Sequence, residues 1–132
     1  MNVPFLFNDY TILIVEDDLI NREVLKYTLN NLGLPIKEAI NGEEGLKELD
    51  QLIGKPVILL LDLNMPVMDG YKVLEILENN SKKYEAVRTI VVSGTLRSEF
   101  EKRGLEHLIA GYEAKPIDRD SLVRKIIEAT MQ

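Results

Sequence analysis

The chain has 132 residues, 45% of them apolar, no cysteine and a formal net charge of −6. That length suits about one domain with a core of its own, and the apolar share excludes a disordered chain. The lack of thiols excludes cysteine nucleophiles and disulfides and fits a reducing compartment such as the cytoplasm, while the acidic balance argues against a nucleic-acid-binding surface. The longest apolar runs fall far short of a membrane span, and no basic stretch followed by a long apolar one marks a signal peptide.

Residues 1–10 carry Phe5, Leu6, Phe7 and Tyr10 without a period. They read as an N-terminal extension to a domain over 11–132, with packing on the domain and reaching to a partner both open. Thr11–Val15 is rich in β-branched and apolar residues and predicts a strand. It runs into Glu16, Asp17 and Asp18, after which Val24, Leu25, Thr28, Leu29 and Leu32 mark one helix face, with Gly33 as its stop. One Asp would cap that helix. Three adjacent carboxylates repel one another, and a cation site explains them better.

Residues 34–40 predict a short second strand, limited by Pro35 to an early or edge position. Asn41-Gly42 is a turn signal, and Leu46, Leu49 and Ile53 follow at helical spacing, with Gly54 ending the helix. Gly42 and Gly45 make no phosphate loop, because the Gly-Lys-Ser/Thr ending is missing. Residues 57–62 form a third strand, five apolar residues closed by Asp62. A loop with Asn64, Pro66 and Gly70 leads into a helix over 69–78. Residues 89–92 are all β-branched and predict a fourth strand, ending on Ser93-Gly94-Thr95. A helix over 97–108 has a thin apolar face and is interrupted by Gly104. Residues 109–114 are the fifth strand, ending at Lys115-Pro116. Leu122, Val123, Ile126 and Ile127 place a last helix on the core.

Strands alternating with helices imply βαβ units and a mostly parallel α/β sheet with helices on both faces. All five strands then point one way. Their tips bring Glu16, Asp17, Asp62, Ser93 and Lys115 to one edge, where open α/β sheets bind ligands. Alone, Asp62 reads equally well as a turn cap; four polar strand ends at one edge favour a site. Grouped carboxylates suit a hard cation such as Mg²⁺, Mn²⁺ or Ca²⁺. An ammonium and a hydroxyl beside them suit an anion. Such a set is what phosphoryl transfer onto Asp62 would need.

The segments ILIVEDDLINR, LLLDLNMPVMDG, IVVSGT and YEAKP, in that order and spacing, resemble the receiver domain of two-component response regulators, with the resemblance running over residues 11–130. It implies the flavodoxin-like doubly wound (βα)5 fold with strand order 2-1-3-4-5. It implies that Asp62 accepts a phosphoryl group from a sensor histidine kinase or a histidine phosphotransfer protein. Mg²⁺, with Mn²⁺ as substitute, would be held by Asp62, by Asp17 as a direct ligand, by Glu16 through water, and by the backbone carbonyl of Asn64; Asp18 falls outside the acidic pair. Ser93 and Lys115 would bind the phosphoryl oxygens, the Lys115-Pro116 peptide would be cis, and Tyr112 would turn inward as Ser93 moves. Gly94 would keep the pocket roof small, and Asn64 and Thr95 would tune loss of the phosphoryl group.

Glu16 and Ser93 stand where the family more often has Asp and Thr, and both keep the chemistry. Leu108 stands where it often has Gly, which bears on the face near the fourth helix. With no output domain after Gln132, the expectation is a single-domain, cytoplasmic response regulator that is not an enzyme. It would switch contacts with an unknown downstream protein and need no nucleic acid or membrane; phosphorylation-dependent homodimerisation stays open. Two rivals share the fold. One is an interaction module that works unphosphorylated. The other is a phosphatase with an aspartyl-phosphate intermediate, against which Asn64 argues, since such enzymes carry a second Asp two residues after the nucleophile. A flavin protein is opposed by the acidic pocket. His107 is expected to be an inert surface residue, and Met65 and Met68 to be loop packing.

Overall fold

The computed structural model describes residues 5–132. Its elements are β1 (Thr11–Val15), α1 (Leu19–Leu29), β2 (Ile36–Ala39), α2 (Gly42–Gln51), β3 (Val57–Leu61), α3 (Gly70–Asn79), β4 (Val87–Ser93), α4 (Arg97–Glu101), β5 (Gly111–Ala114) and α5 (Arg119–Thr130). The five strands are all parallel and lie in the order β2-β1-β3-β4-β5. This is the flavodoxin-like doubly wound fold that the resemblance implies.

The period of two in each strand sorts the core into two layers. Ile12, Ile14, Ile58, Leu60, Ile90 and Val92 face α1 and α5 and pack with Leu25, Leu29, Leu122 and Ile126. Leu13, Val15, Leu59, Leu61 and Val91 face the other way, toward Leu49 of α2, Val73 and Leu74 of α3, and Phe100 of α4. All five residues of β3 are buried, which is why that strand is a continuous apolar run. At the N-terminus, Tyr10 is buried in the layer of α1 and α5 with Phe7 packed against it. The Phe5 ring meets Tyr10 edge-on at 6.3 Å. For these residues packing on the domain holds; the rest of the expected extension, residues 1–4, lies outside the described residues.

Several boundaries differ from the sequence expectation. The helix expected over 97–108 is only α4, five residues long. Gly104 then takes a left-handed φ of 69°, and a 3-10 turn follows at Glu106–Leu108; only Phe100 of α4 is buried, so little packing sustains a longer helix. β4 is longer than expected, β2 and β5 shorter. Val24, Ile53 and Ile127 are 47%, 46% and 41% exposed, so apolar residues at helical spacing mark a wider stripe than the core covers.

The helices are started by side chains. Asp18, Asn41, Asp69 and Asp118 each accept the N–H of the third residue onward, heading α1, α2, α3 and α5, which satisfies an otherwise orphaned donor. Two further contacts fix what surrounds the sheet edge. A Cβ on Gly70 would lie 2.3 Å from the Asp62 carbonyl oxygen and 2.9 Å from the Leu63 Cα, so α3 begins directly against the β3 tip. On β5, the buried Glu113 carboxylate accepts from Lys125 Nζ at 2.6 Å, Ser121 Oγ at 2.7 Å and the Asp118 N–H at 3.1 Å. Burial opposes its ionisation, but these partners outweigh burial and hold its pKa below the usual carboxylate range.

Two outcomes follow from these contacts. Gly70→Ala should destabilise the domain by about 2–3 kcal/mol, because the obstacle is backbone and cannot rotate away; urea unfolding would measure this. Glu113 titrates lower folded than unfolded. Its pairing therefore stabilises above the ordinary glutamate pKa and is lost as pH falls through the folded value. Glu113→Gln should cost about 1–2 kcal/mol at pH 7, and its gap to wild type should close on acidification below the ordinary glutamate range, read by thermal melts across that range.

Candidate functional site

The carboxyl ends of β1, β3, β4 and β5 are neighbours in the sheet, so the residues that follow them meet. Val15 and Leu61 are register partners, and the Asp62 N–H donates to the Val15 carbonyl at 3.1 Å. Glu16 and Asp62 therefore leave adjacent strands at one level. Carboxylate oxygens of Glu16, Asp17 and Asp62 all lie within 4.8 Å of one another. Glu16 and Asp62 are only 2% and 6% exposed. Asp17 is open to solvent, yet partial desolvation beside the cluster, a hydrogen bond with Glu16 and the charges of Glu16 and Asp18 hold its pKa above the usual value. Of the three consecutive acids, Asp18 turns away to cap α1.

Lys115 enters this cluster from the end of β5. Its ammonium donates to Glu16 Oε1 at 2.5 Å and lies 3.6 Å from Asp62 Oδ2. Burial works against its charge, but the two carboxylates outweigh burial and hold its pKa above that of an ordinary lysine. The Lys115-Pro116 peptide is cis, and the Lys115 N–H donates to the Ser93 carbonyl at 2.9 Å.

Ser93, at the tip of β4, is fully buried. Its Oγ accepts the Thr95 N–H at 3.1 Å. The Thr95 side chain in turn accepts from Asn64 Nδ2 at 3.0 Å, joining the loops that follow β3 and β4. Tyr112 is buried, and its hydroxyl donates to the Thr95 carbonyl. Burial, then the neighbouring Tyr71, raise its pKa. Its ring packs on Phe100 at 5.5 Å. Phe100 stacks on Tyr71 at 6.2 Å, and the Arg103 guanidinium lies 3.9 Å above that ring. A Cβ on Gly94 would meet nothing within 4 Å, so no packing contact requires glycine there. Met65 and Met68 pack on the core. His107 is exposed and faces Glu78 at 3.0 Å.

Sequence reasoning missed Arg22. Its guanidinium donates to the backbone carbonyls of Glu16 at 2.8 Å and Asp17 at 3.1 Å. A signal was present: a cation near the amino end of a helix opposes the helix dipole and calls for a compensating partner.

The donor set defines what the pocket can hold. Three carboxylates are hard oxygen ligands and fit a hard divalent cation. One ammonium and one hydroxyl suit an anion beside Asp62. No helix among the described residues is long and apolar enough to cross a membrane.

Residues 12–127 match the family model described as the response regulator receiver domain. The chain is 32% identical over 116 residues to the sensor histidine kinase CheAY of Helicobacter pylori, covering 87% of this chain and 14% of that protein. It is 32% identical over 115 residues to the cell cycle response regulator CtrA of Brucella ovis, covering 87% of this chain and 47% of that protein. The chain thus spans less than half the length of either relative. The solved structure of the response regulator TrrA from Thermotoga maritima, in complex with Mg²⁺-BeF, superposes with a TM-score of 0.77 at 28% identity, covering 91% of this chain and 98% of that one. A match over nearly the whole chain, on this fold and with this sheet edge, makes the chain a member of the response-regulator receiver-domain family of two-component signal transduction.

Proposed function

We propose that residues 11–132, with 1–10 as an N-terminal extension, are a Mg²⁺-dependent phosphoacceptor switch. The carrying observation is Asp62 itself, a carboxylate 6% exposed at the tip of the central strand, with an ammonium 3.6 Å away and two more carboxylates beside it. A carboxylate oxygen of Asp62 attacks the phosphorus of a phosphohistidine, and the P–N bond breaks with its electron pair leaving on the imidazole. The donor is a sensor histidine kinase or a histidine phosphotransfer protein. Glu16, Asp17, Asp62 and the Asn64 carbonyl are the residues that hold Mg²⁺ or Mn²⁺. When bound, the cation neutralises charge on the transferring phosphoryl oxygens.

The chain's own groups supply the rest. Lys115 bridges Glu16 and Asp62, so a phosphoryl group on Asp62 meets an ammonium already in place. Ser93 donates its hydroxyl to a phosphoryl oxygen. Drawing Ser93 toward Asp62 loosens its bond to the Thr95 N–H, and the Thr95 carbonyl is what Tyr112 holds. Ser93, Thr95 and Tyr112 thus form a chain from the site to the face of α4, β5 and α5. Phosphorylation biases a two-state equilibrium there only by the extent to which it favours one state. Asn64 and Thr95, hydrogen-bonded beside the pocket, tune the approach of water and hence loss of the phosphoryl group. An amide at position 64 offers no general acid, so the domain assists its own phosphorylation and dephosphorylation without turning over a substrate. The downstream partner is another protein, and the setting is the cytoplasm.

Intact-mass measurement after acetyl phosphate and Mg²⁺ should give a hydroxylamine-labile phosphoryl adduct on wild type and none on Asp62→Asn or without metal. Should wild type give no adduct and also no amide-shift change with beryllofluoride and Mg²⁺, the proposal fails. Ser93→Ala should take the adduct yet lose most of the beryllofluoride-induced amide-shift change in α4 and β5.

A further inference from the structure

We propose that Arg22 is a positioning residue of the acidic site, fixing the backbone from which the Glu16 and Asp17 carboxylates project; this rests on the reading of that site as a Mg²⁺ site. The Arg22 side chain is 12% exposed, and one nitrogen, Nη1, serves both carbonyls, at 2.8 Å for Glu16 and 3.1 Å for Asp17. Its Nε donates to Glu38 Oε1 on β2 at 3.3 Å. The other Glu38 oxygen accepts from Lys26 Nζ at 3.0 Å. The main chain of Arg22 is set as well, its N–H donating to the Asp18 carbonyl at 3.0 Å. Glu16 is held from the far side by β2, where its N–H donates to the Ala39 carbonyl at 3.1 Å. The turn after β1 is therefore clamped between β2 and α1 at the two residues whose carboxylates must converge.

At Glu16 and Asp17, Arg22 bonds the neutral main-chain carbonyls and leaves the carboxylate oxygens of both to other partners. Two opposite effects on cation binding follow. As a clamp, Arg22 preorganises two ligands, and outer contacts that orient metal ligands commonly carry a 10–100-fold effect on affinity. As a positive charge near a cation site, it opposes binding. Glu38 on the same guanidinium offsets that charge, so the geometric effect dominates. Lysine does not replace arginine here: its single ammonium could stand in for Nη1 at the two carbonyls but would lack the separate Nε donor that ties the clamp to Glu38 on β2.

The sign of one measurement decides. Mg²⁺ is titrated into the full chain while the amide shifts of Asp17 and Asp62 are followed, for wild type, Arg22→Met and Arg22→Lys, each first checked for native amide dispersion. Both variants should bind Mg²⁺ about 10-fold more weakly or worse, with Lys failing to rescue despite its charge. Unchanged affinity in Arg22→Met would overturn the assignment, and tighter binding would show that charge repulsion dominates and overturn it too. If Arg22→Met does not fold, wild-type affinity in Arg22→Lys overturns it equally. Wild type without saturable Mg²⁺ shifts would instead remove the Mg²⁺ reading on which this rests.

Discussion

Glu16 and Asp62 are nearly removed from water at adjacent strand ends, and like charges so placed repel strongly. They cannot drift apart, because the pairing of Val15 with Leu61 holds them at one level. The surrounding structure is an answer to that repulsion. Lys115 comes in from the far edge of the sheet to bridge both carboxylates. The third acid, Asp17, stays in solvent with a strengthened hold on its proton. The central position of β3, buried on both faces, gives Asp62 a rigid base, and Gly70 lets α3 start against that base without a side chain in the way. The same crowding that is costly in isolation makes the edge receptive to a cation and to a group that Lys115 can pair with.

The sheet can carry this edge because its two apolar layers are independent of it. Each strand alternates its side chains between the layer of α1 and α5 and the layer of α2, α3 and α4, so the polar tips sit beyond the core and ask nothing of it. Four of the five helices begin on an Asp or Asn cap, which settles where each crossover ends and, with it, where each loop at the edge begins.

What the sequence discloses follows from how local each signal is. β1 and β3 are readable because burial on both faces leaves an uninterrupted apolar run. Glu16, Asp17, Asp62, Ser93 and Lys115 are readable because topology alone carries strand ends to a common edge. Arg22 shows in the sequence only as a cation near the start of α1, since the main-chain carbonyls that it bonds belong to every residue and no pattern marks them. Glu113 is hidden for a related reason: a carboxylate within a strand looks solvent-facing until Lys125 and Ser121 arrive from a later helix. The helix expected over 97–108 ends at Glu101 because its thin apolar face buries only Phe100 in α4, too little to sustain it further.

That short helix has a thermodynamic consequence. α4 is the one helix of the five without a side-chain cap; Leu96, at its cap position, is 68% exposed, and Phe100 is its single buried residue. One and a half turns barely offset the cost of nucleation. The segment between Thr95 and Tyr112 is therefore a low-cost foldon, whose local opening forfeits the Phe100 anchor, the half-buried Leu105, Leu108 and Ile109 and a few main-chain bonds while the rest of the domain stays folded. Its amide hydrogens should exchange faster than those of the central strands. Because that softness begins two residues beyond Ser93, a small free-energy change at the sheet edge is spent where rearrangement is cheapest.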